Sequence, residues 1–256
     1  MKNPTIILLL LLTANALYAQ QFFSGTNNKY GFKDATGKVI FEPQFMFASE
    51  FKNGLARIDI NDKWGFINPE GKIVIPVQYD RAYSFKDGIC TATKDNKVGF
   101  IDVSGKTIIP FDYDDADAFV NGYCQVKKNG KEGVIDKTGK VVVPLIYDDV
   151  SNWAPAKGQI HVFYLEMKKK YGYADTDGNI IVPTLYESLP IDGFNEGLAA
   201  AKKNGKWGYI DTKNNTVIAF VYDEAHEFKS GKASVLKGRT IYSIDKAGTE
   251  LGKREY

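Results

Sequence analysis

From Asn28 onward the chain alternates short apolar runs with turn-forming clusters. The runs are rich in Val, Ile, Phe and Tyr, as in Trp64-Gly65-Phe66-Ile67 and Ile73-Val74-Ile75. Between those two runs stands Asn68-Pro69-Glu70-Gly71, and its counterparts are Asp34-Ala35-Thr36-Gly37, Asp102-Val103-Ser104-Gly105, Asp136-Lys137-Thr138-Gly139 and Asp175-Thr176-Asp177-Gly178. An Asp or Asn opening such a cluster can bond the backbone two residues on, and the closing Gly takes a positive φ. Short apolar runs bounded by clusters of this kind predict strands joined by tight turns.

The pattern repeats. Its central glycine recurs as Gly31, Gly65, Gly99, Gly133, Gly172 and Gly208, at intervals of 34, 34, 34, 39 and 36 residues. These six are read as structural. A degraded copy at Ile241–Gly248 places Tyr242 where the glycine should stand. Helical arrays also repeat at such lengths, but a fixed proline (Pro43, Pro76, Pro110, Pro144, Pro183) and several internal glycines per unit exclude helical pairs. The proline is expected to stop the return strand, because it cannot donate to a ladder. A second hairpin is expected to follow. It is marked by an aromatic–acid pair (Tyr79-Asp80, Tyr113-Asp114, Tyr147-Asp148, Tyr186-Glu187, Tyr222-Asp223) and then by Phe-x-x-Gly (Phe51/Gly54, Phe85/Gly88, Phe119/Gly122, Phe194/Gly197, Phe228/Gly231).

A unit this small cannot bury a core alone, so neighbouring copies must stack. The expected fold is all-β, a tandem array of short antiparallel hairpins. Both ends supply the same Trp-Gly hairpin, which favours an open, solenoid-like superhelix over the alternative, a β-propeller. Residues 28–256 form the repeat domain, six full copies and a degenerate capping copy, with residues 20–27 as a lead-in.

At these residues the chain resembles the WG-repeat family. Lys63-Trp64-Gly65-Phe66-Ile67 and Lys206-Trp207-Gly208-Tyr209-Ile210-Asp211 carry the resemblance most closely. Lys29-Tyr30-Gly31-Phe32 and Lys170-Tyr171-Gly172-Tyr173 keep an aromatic before the glycine, whereas Val98 and Glu132 replace it. The resemblance implies a bacterial β-repeat protein without an agreed catalytic site.

Two features set the compartment and the charge. Lys2, the run Ile6–Leu12 and the small residues Ala14, Ala16 and Ala19 read as a secretory signal peptide over residues 1–19, with cleavage after Ala19 or Ala16. The expected location is periplasmic or extracellular, and no stretch reaches the length of a transmembrane span. The formal net charge is +2 at 25% charged residues, which gives no argument for nucleic acid as a partner.

Candidate chemistry is sparse. His161 and His226 lack ligand-like spacing, so no metal and no cofactor are expected. The column Asp34, Asp102, Asp136, Asp175, Asp211 and Asp245 is read as turn-opening, because calcium needs six or more oxygens at one point. Cys90 and Cys124 stand where other copies place Ala56, Ala199 and Ala233, so they are read as small core residues. A disulfide between them would require Cα atoms within about 7 Å. The lysine columns (Lys29, Lys63, Lys97, Lys131, Lys170, Lys206) are matched by acids and are read as a solvated face.

No nucleophile motif or phosphate loop appears, and no catalytic residue is expected. The chain is expected to be a non-enzymatic, exported scaffold for a protein or cell-envelope component. The alternative is a carbohydrate or peptidoglycan binder using exposed aromatics. Insertions in repeat arrays fall in loops and often on the binding face. The candidate interaction loop is therefore the longest interruption of the period, with Trp153, His161, Lys168, Lys169 and Lys170.

Overall fold

The computed structural model describes residues 21–25, 28–152 and 160–255. The candidate signal peptide (1–19), Gln20 and Trp153 lie outside the described residues. All described elements are strands, and among the described residues no helix is long and apolar enough to cross a membrane. Seven separate antiparallel sheets follow one another in chain order, and none closes on itself. The chain divides into two compact units at Asp114/Asp115.

The first unit holds three sheets. They are β1 (Gln21–Ser24), β2 (Tyr30–Lys33) and β3 (Val39–Phe45); then β4 (Phe47–Ala48), β5 (Ala56–Ile60), β6 (Lys63–Ile67) and β7 (Ile73–Tyr79); then β8 (Arg81–Ala82), β9 (Ile89–Lys94), β10 (Lys97–Asp102) and β11 (Thr107–Tyr113). The second unit holds four. The first of these is β12 (Asp115–Ala116), β13 (Tyr123–Lys128), β14 (Lys131–Asp136) and β15 (Val141–Tyr147), and the next is β16 (Asp149–Ser151), β17 (Phe163–Met167), β18 (Lys170–Ala174) and β19 (Ile180–Tyr186). β20 (Leu198–Lys203), β21 (Lys206–Asp211) and β22 (Thr216–Tyr222) make a three-stranded sheet. β23 (Glu224–Ala225), β24 (Lys232–Lys237), β25 (Thr240–Asp245) and β26 (Glu250–Glu255) make the last.

Within a sheet the order is a simple meander, and its phase differs from the sequence reading. The strand after Phe-x-x-Gly pairs on one side with the short strand before it, as Phe47↔Asp59 and Ala48↔Ile58. On the other side it pairs with the following Trp-Gly strand, as Ala56↔Ile67 through Ile60↔Lys63. One sheet therefore spans two copies of the sequence repeat, and covalent continuity ties each copy to the next.

The proline also behaves differently from expectation. β7 runs from Ile73 through Pro76 to Tyr79 rather than stopping. Trp64 pairs with Tyr79 and Phe66 with Ile75, so three residues of β7 stand opposite Gly65 alone. Pro76 lies in this bulge, where the ladder needs no amide donor. The return strand arches over the glycine, and a Cβ on Gly65 would lie 2.7 Å from the carbonyl oxygen of Ile75. The same register shift recurs at Phe100, Val134, Tyr173 and Tyr209.

Within each unit the core lies between successive sheets. Phe66 on β6 meets the next sheet's Ala82, Cys90, Ala92 and Ile101, and its ring packs on Phe85 of the next Phe-x-x-Gly at 4.9 Å between centroids. Phe32–Phe51, Tyr173–Phe194 and Tyr209–Phe228 repeat that contact. The Phe of Phe-x-x-Gly thus caps the aromatic ring of the preceding sheet.

Candidate functional site

The repeated polar residues are consumed by the fold. Asp34 Oδ1 accepts from the amides of Thr36 (2.9 Å) and Lys38 (3.0 Å), and Asp136 and Asp211 accept from equivalent amides. The hydroxyls of Thr36, Ser104 and Thr138 hold Asp34, Asp102 and Asp136 below the usual carboxylate range, and the Asn215 amide does so for Asp211. These aspartates therefore serve the turns.

The aromatic–acid pair and the lysine column explain each other. Lys63 pairs with Asp80, Lys97 with Asp114 at 2.5 Å, Lys131 with Asp148 at 2.5 Å and Lys206 with Asp223 at 2.5 Å. The second carboxylate oxygen then accepts an amide from the hairpin turn of the following sheet: Asn96 to Asp80 (3.2 Å), Lys168 to Asp148 (2.6 Å) and Gly238 to Asp223 (2.7 Å). Asp80, Asp148 and Asp223 are thus each a clip between adjacent sheets. Lysine and amide together hold Asp80, Asp148 and Asp223 below the ordinary range.

Linkage follows from these shifts. A carboxylate whose pKa is lower in the folded chain contributes stability above its unfolded pKa, and that contribution is lost as pH falls through the folded value. Asp59, Asp117 and Asp149, raised by burial, act in the opposite direction. The lowered groups are the more numerous, so the melting temperature should fall as pH drops below about 4, the unfolded carboxylate range. Thermal scans across pH at two ionic strengths check this. A melting temperature that rises on acidification would contradict it.

Cys90 and Cys124 are free, fully buried thiols donating to the carbonyls of Tyr83 (3.1 Å) and Asp117 (3.2 Å). Burial pushes both up to about 12, so neither is a thiolate nucleophile at neutral pH. They are small core residues, as their repeat positions imply.

The candidate interaction loop resolves into separate parts. It replaces Phe-x-x-Gly between β16 and β17, and both its ends are anchored. Asn152 donates through Nδ2 to the carbonyl of Tyr123 (3.2 Å), and its Oδ1 lies 2.9 Å from His161 Nε2. The His161 ring stands edge-on to Tyr123 and Phe163, and burial lowers its pKa. Lys168 and Lys169 are not part of that loop. They form the exposed two-residue turn between β17 and β18, both with positive φ (52° and 57°), and Lys170 opens β18 paired with Glu187. Sequence reasoning joined these lysines to His161, but the five residues of β17 separate them. It also passed over Asn152, whose amide ties the loop base to the neighbouring turn.

The equivalent turns are Asn61-Asp62, Asp95-Asn96, Asn129-Gly130 and Asn204-Gly205, residues that tolerate this conformation. Lysine pays a cost of about 1 kcal/mol per position there. Replacing Lys168-Lys169 by Asn-Gly should stabilise the chain by about 1–2 kcal/mol, read as a higher denaturation midpoint with an unchanged slope. An unchanged or lower midpoint would show that the lysines contribute a compensating contact.

The folded architecture is that of an all-β tandem-repeat protein whose small sheets are clipped together by repeated Lys–acid–amide contacts. The WG containing repeat matches six segments, residues 30–64, 64–97, 99–131, 133–156, 171–207 and 207–239, and the chain belongs to this family. No curated protein matches it. Among solved structures, a eukaryotic initiation factor is similar at 12% identity and TM-score 0.41, over 94% of this chain and 75% of that one. AztD from Citrobacter koseri follows at 13%, 0.36, 92% and 78%, and Hsv2 from Kluyvelomyces marxianus at 8%, 0.38, 93% and 95%. Scores of that size define no shared arrangement of sheets and no ligand.

Proposed function

We propose that this chain is an exported, non-enzymatic interaction scaffold for a protein or cell-envelope component, presented through the loop between Asn152 and His161. The observation that carries the reading is the contrast between the repeats and their interruption. Repeated acids and lysines are spent on turns and clips, whereas the residues flanking this insertion, Asn152 and His161, are fixed to each other and to Tyr123. An anchored base lowers the ordering cost of any partner that the loop meets. The apolar segment at residues 6–12 supports export, and cleavage after either Ala19 or Ala16 leaves β1 in the mature chain. Mass spectrometry of the protein from fractionated cells tests export: an intact Met1 in the cytoplasmic fraction sinks it. Site-specific photocrosslinking from position 153, compared with a chain lacking residues 153–159, tests the loop. Identical adducts elsewhere on the surface would remove the assignment.

Carbohydrate binding is the second reading, favoured at one place. A notch of about 400 Å³ beside the loop base is lined by Tyr123, Asn121, Thr138, Lys140, Thr176 and Asp177. An aromatic edge among hydrogen-bonding side chains suits a sugar. Of the repeated aromatics, those after the glycine (Phe66, Tyr173 and Tyr209) are buried, whereas Trp64, Tyr171 and Trp207 before it are half-buried. Titration with peptidoglycan fragments, wild type against Tyr123→Ala, separates the two readings.

A further inference from the structure

One charged side chain between sheets has no repeat logic. Arg57 on β5 stands where other copies place Thr91, Gln125, Tyr164, Ala200 and Ser234, and it faces the same inter-sheet space as its cross-strand partner Phe66. Its guanidinium lies over the rings of Trp64 (4.7 Å) and Phe47 (5.1 Å). One nitrogen, Nη1, donates to the Ala82 carbonyl at 2.8 Å, and Nε is buried without a partner. Among the described residues no carboxylate forms an ion pair with it, and burial pulls its pKa down. A half-buried cation without an anion is costly, and neither turn nor clip requires one here.

Arg57 also lines a notch of about 250 Å³, together with Ser49, Glu50, Lys52, Leu55, Phe66, Ser84 and Phe85. One wall is apolar: Leu55, Phe66 and Phe85. The other carries Arg57, the exposed Lys52 and two hydroxyls. Glu50 offsets one of the two cations, so the lining carries a single net positive charge, which suits a monoanion better than a dianion.

We propose that this notch binds the carboxylate of a small organic acid, with Arg57 as its charge partner and Leu55, Phe66 and Phe85 against its carbon body. The guanidinium fork matches a planar carboxylate, and the apolar wall selects against bare inorganic anions. The site lies wholly within the first unit and is independent of the loop between Asn152 and His161.

The test uses the full chain and two probes, benzoate and inorganic phosphate, in ligand-observed NMR and calorimetry. Benzoate should bind saturably with Kd near about 1 mM, as one charge pair and one small apolar wall allow, and phosphate at least tenfold more weakly. Arg57→Met, which keeps the packing stem, should weaken benzoate by tenfold or more. Because that variant also loses the bond to Ala82, Ser84→Trp serves as a second. It fills the notch from an exposed position, leaves Arg57 in place and should abolish binding while the melting temperature holds. Absence of saturable benzoate binding, equal affinity in both variants, or phosphate binding more tightly than benzoate would each overturn the assignment. A free amino-acid carboxylate and a peptide C-terminus, run as competitors, distinguish the source of the anion.

Discussion

Phe163→Ala should be among the most damaging single substitutions in this chain, costing about 3–5 kcal/mol. The reason is a size exchange within one sheet. In five other sheets the equivalent cross-strand pair is small on the first strand and isoleucine on the second: Ala56↔Ile67, Cys90↔Ile101, Cys124↔Ile135, Ala199↔Ile210 and Ala233↔Ile244. On β17 and β18 the sizes are reversed, as Phe163↔Ala174, and both residues are fully buried. The preceding sheet accounts for the reversal. It offers Val134 where others offer Phe66, Phe100, Tyr173 or Tyr209, and the insertion has removed the Phe of Phe-x-x-Gly. Phe163 lies in one cluster with Val134 and Ala174 and packs on Tyr123 at 5.2 Å, so its ring occupies the space that both losses would leave.

The exchange predicts a measurable coupling. Phe163→Ala/Ala174→Ile restores the pair of the other sheets and should recover about 1–2 kcal/mol, a typical coupling between contacting residues. Ala174→Ile alone should be destabilising, because the ring already fills that space. Urea denaturation of the four chains checks the cycle. Strict additivity would mean that the two side chains do not share one volume. The single substitution also removes a wall against which His161 is held, so loop-dependent crosslinking should fall with it.

Much of this was legible in the sequence, though unevenly. Turn acids announce themselves because Asp34 and its counterparts repeat with a Gly three residues on, and that spacing has one local solution. The pairing phase does not, since a strand between two turns can pair on either side; Ala56–Ile60 does both. The two-residue turns were obscured because the copies spell them as Asn-Asp, Asp-Asn, Asn-Gly and Lys-Lys, sharing a backbone conformation rather than a residue. That is how Lys168 and Lys169 came to look like part of a binding loop. Arg57 was equally hidden, because its interest lies in a missing counter-ion, which only packing reveals. Position 163 could have been read from the chain: its Phe, the Val at 134 and the missing Phe-x-x-Gly fall in neighbouring copies.

Gly208→Ala should destabilise by about 1–3 kcal/mol, in the range of other overpacking changes, and Gly65→Ala by a similar amount. Neither glycine needs a positive φ. The obstacle is the arched return strand: a Cβ on Gly208 would sit 2.6 Å from the Ile218 carbonyl oxygen, and one on Gly65 would lie 2.8 Å from a methyl of Val77 as well. Backbone atoms cannot yield as a flexible side-chain end does, so the bulge itself must move. The last sheet supplies an internal control. There Tyr242 occupies the glycine position, and β26 pairs straight across it as Ile241↔Arg254, Tyr242↔Lys253 and Ser243↔Gly252, the register shift of this pair falling beyond it, between Ser243 and Ile244. Gly and the proline-bearing bulge are thus one device: where the bulge is absent, a tyrosine fits. Gly252, with nothing within 4 Å of its would-be Cβ, should accept alanine with little effect. Comparing the midpoints of Gly208→Ala, Gly65→Ala and Gly252→Ala tests the argument. An equal loss at Gly252 would assign the cost to backbone entropy or sheet propensity, and the arch over the Trp-Gly strand would then have no part in it.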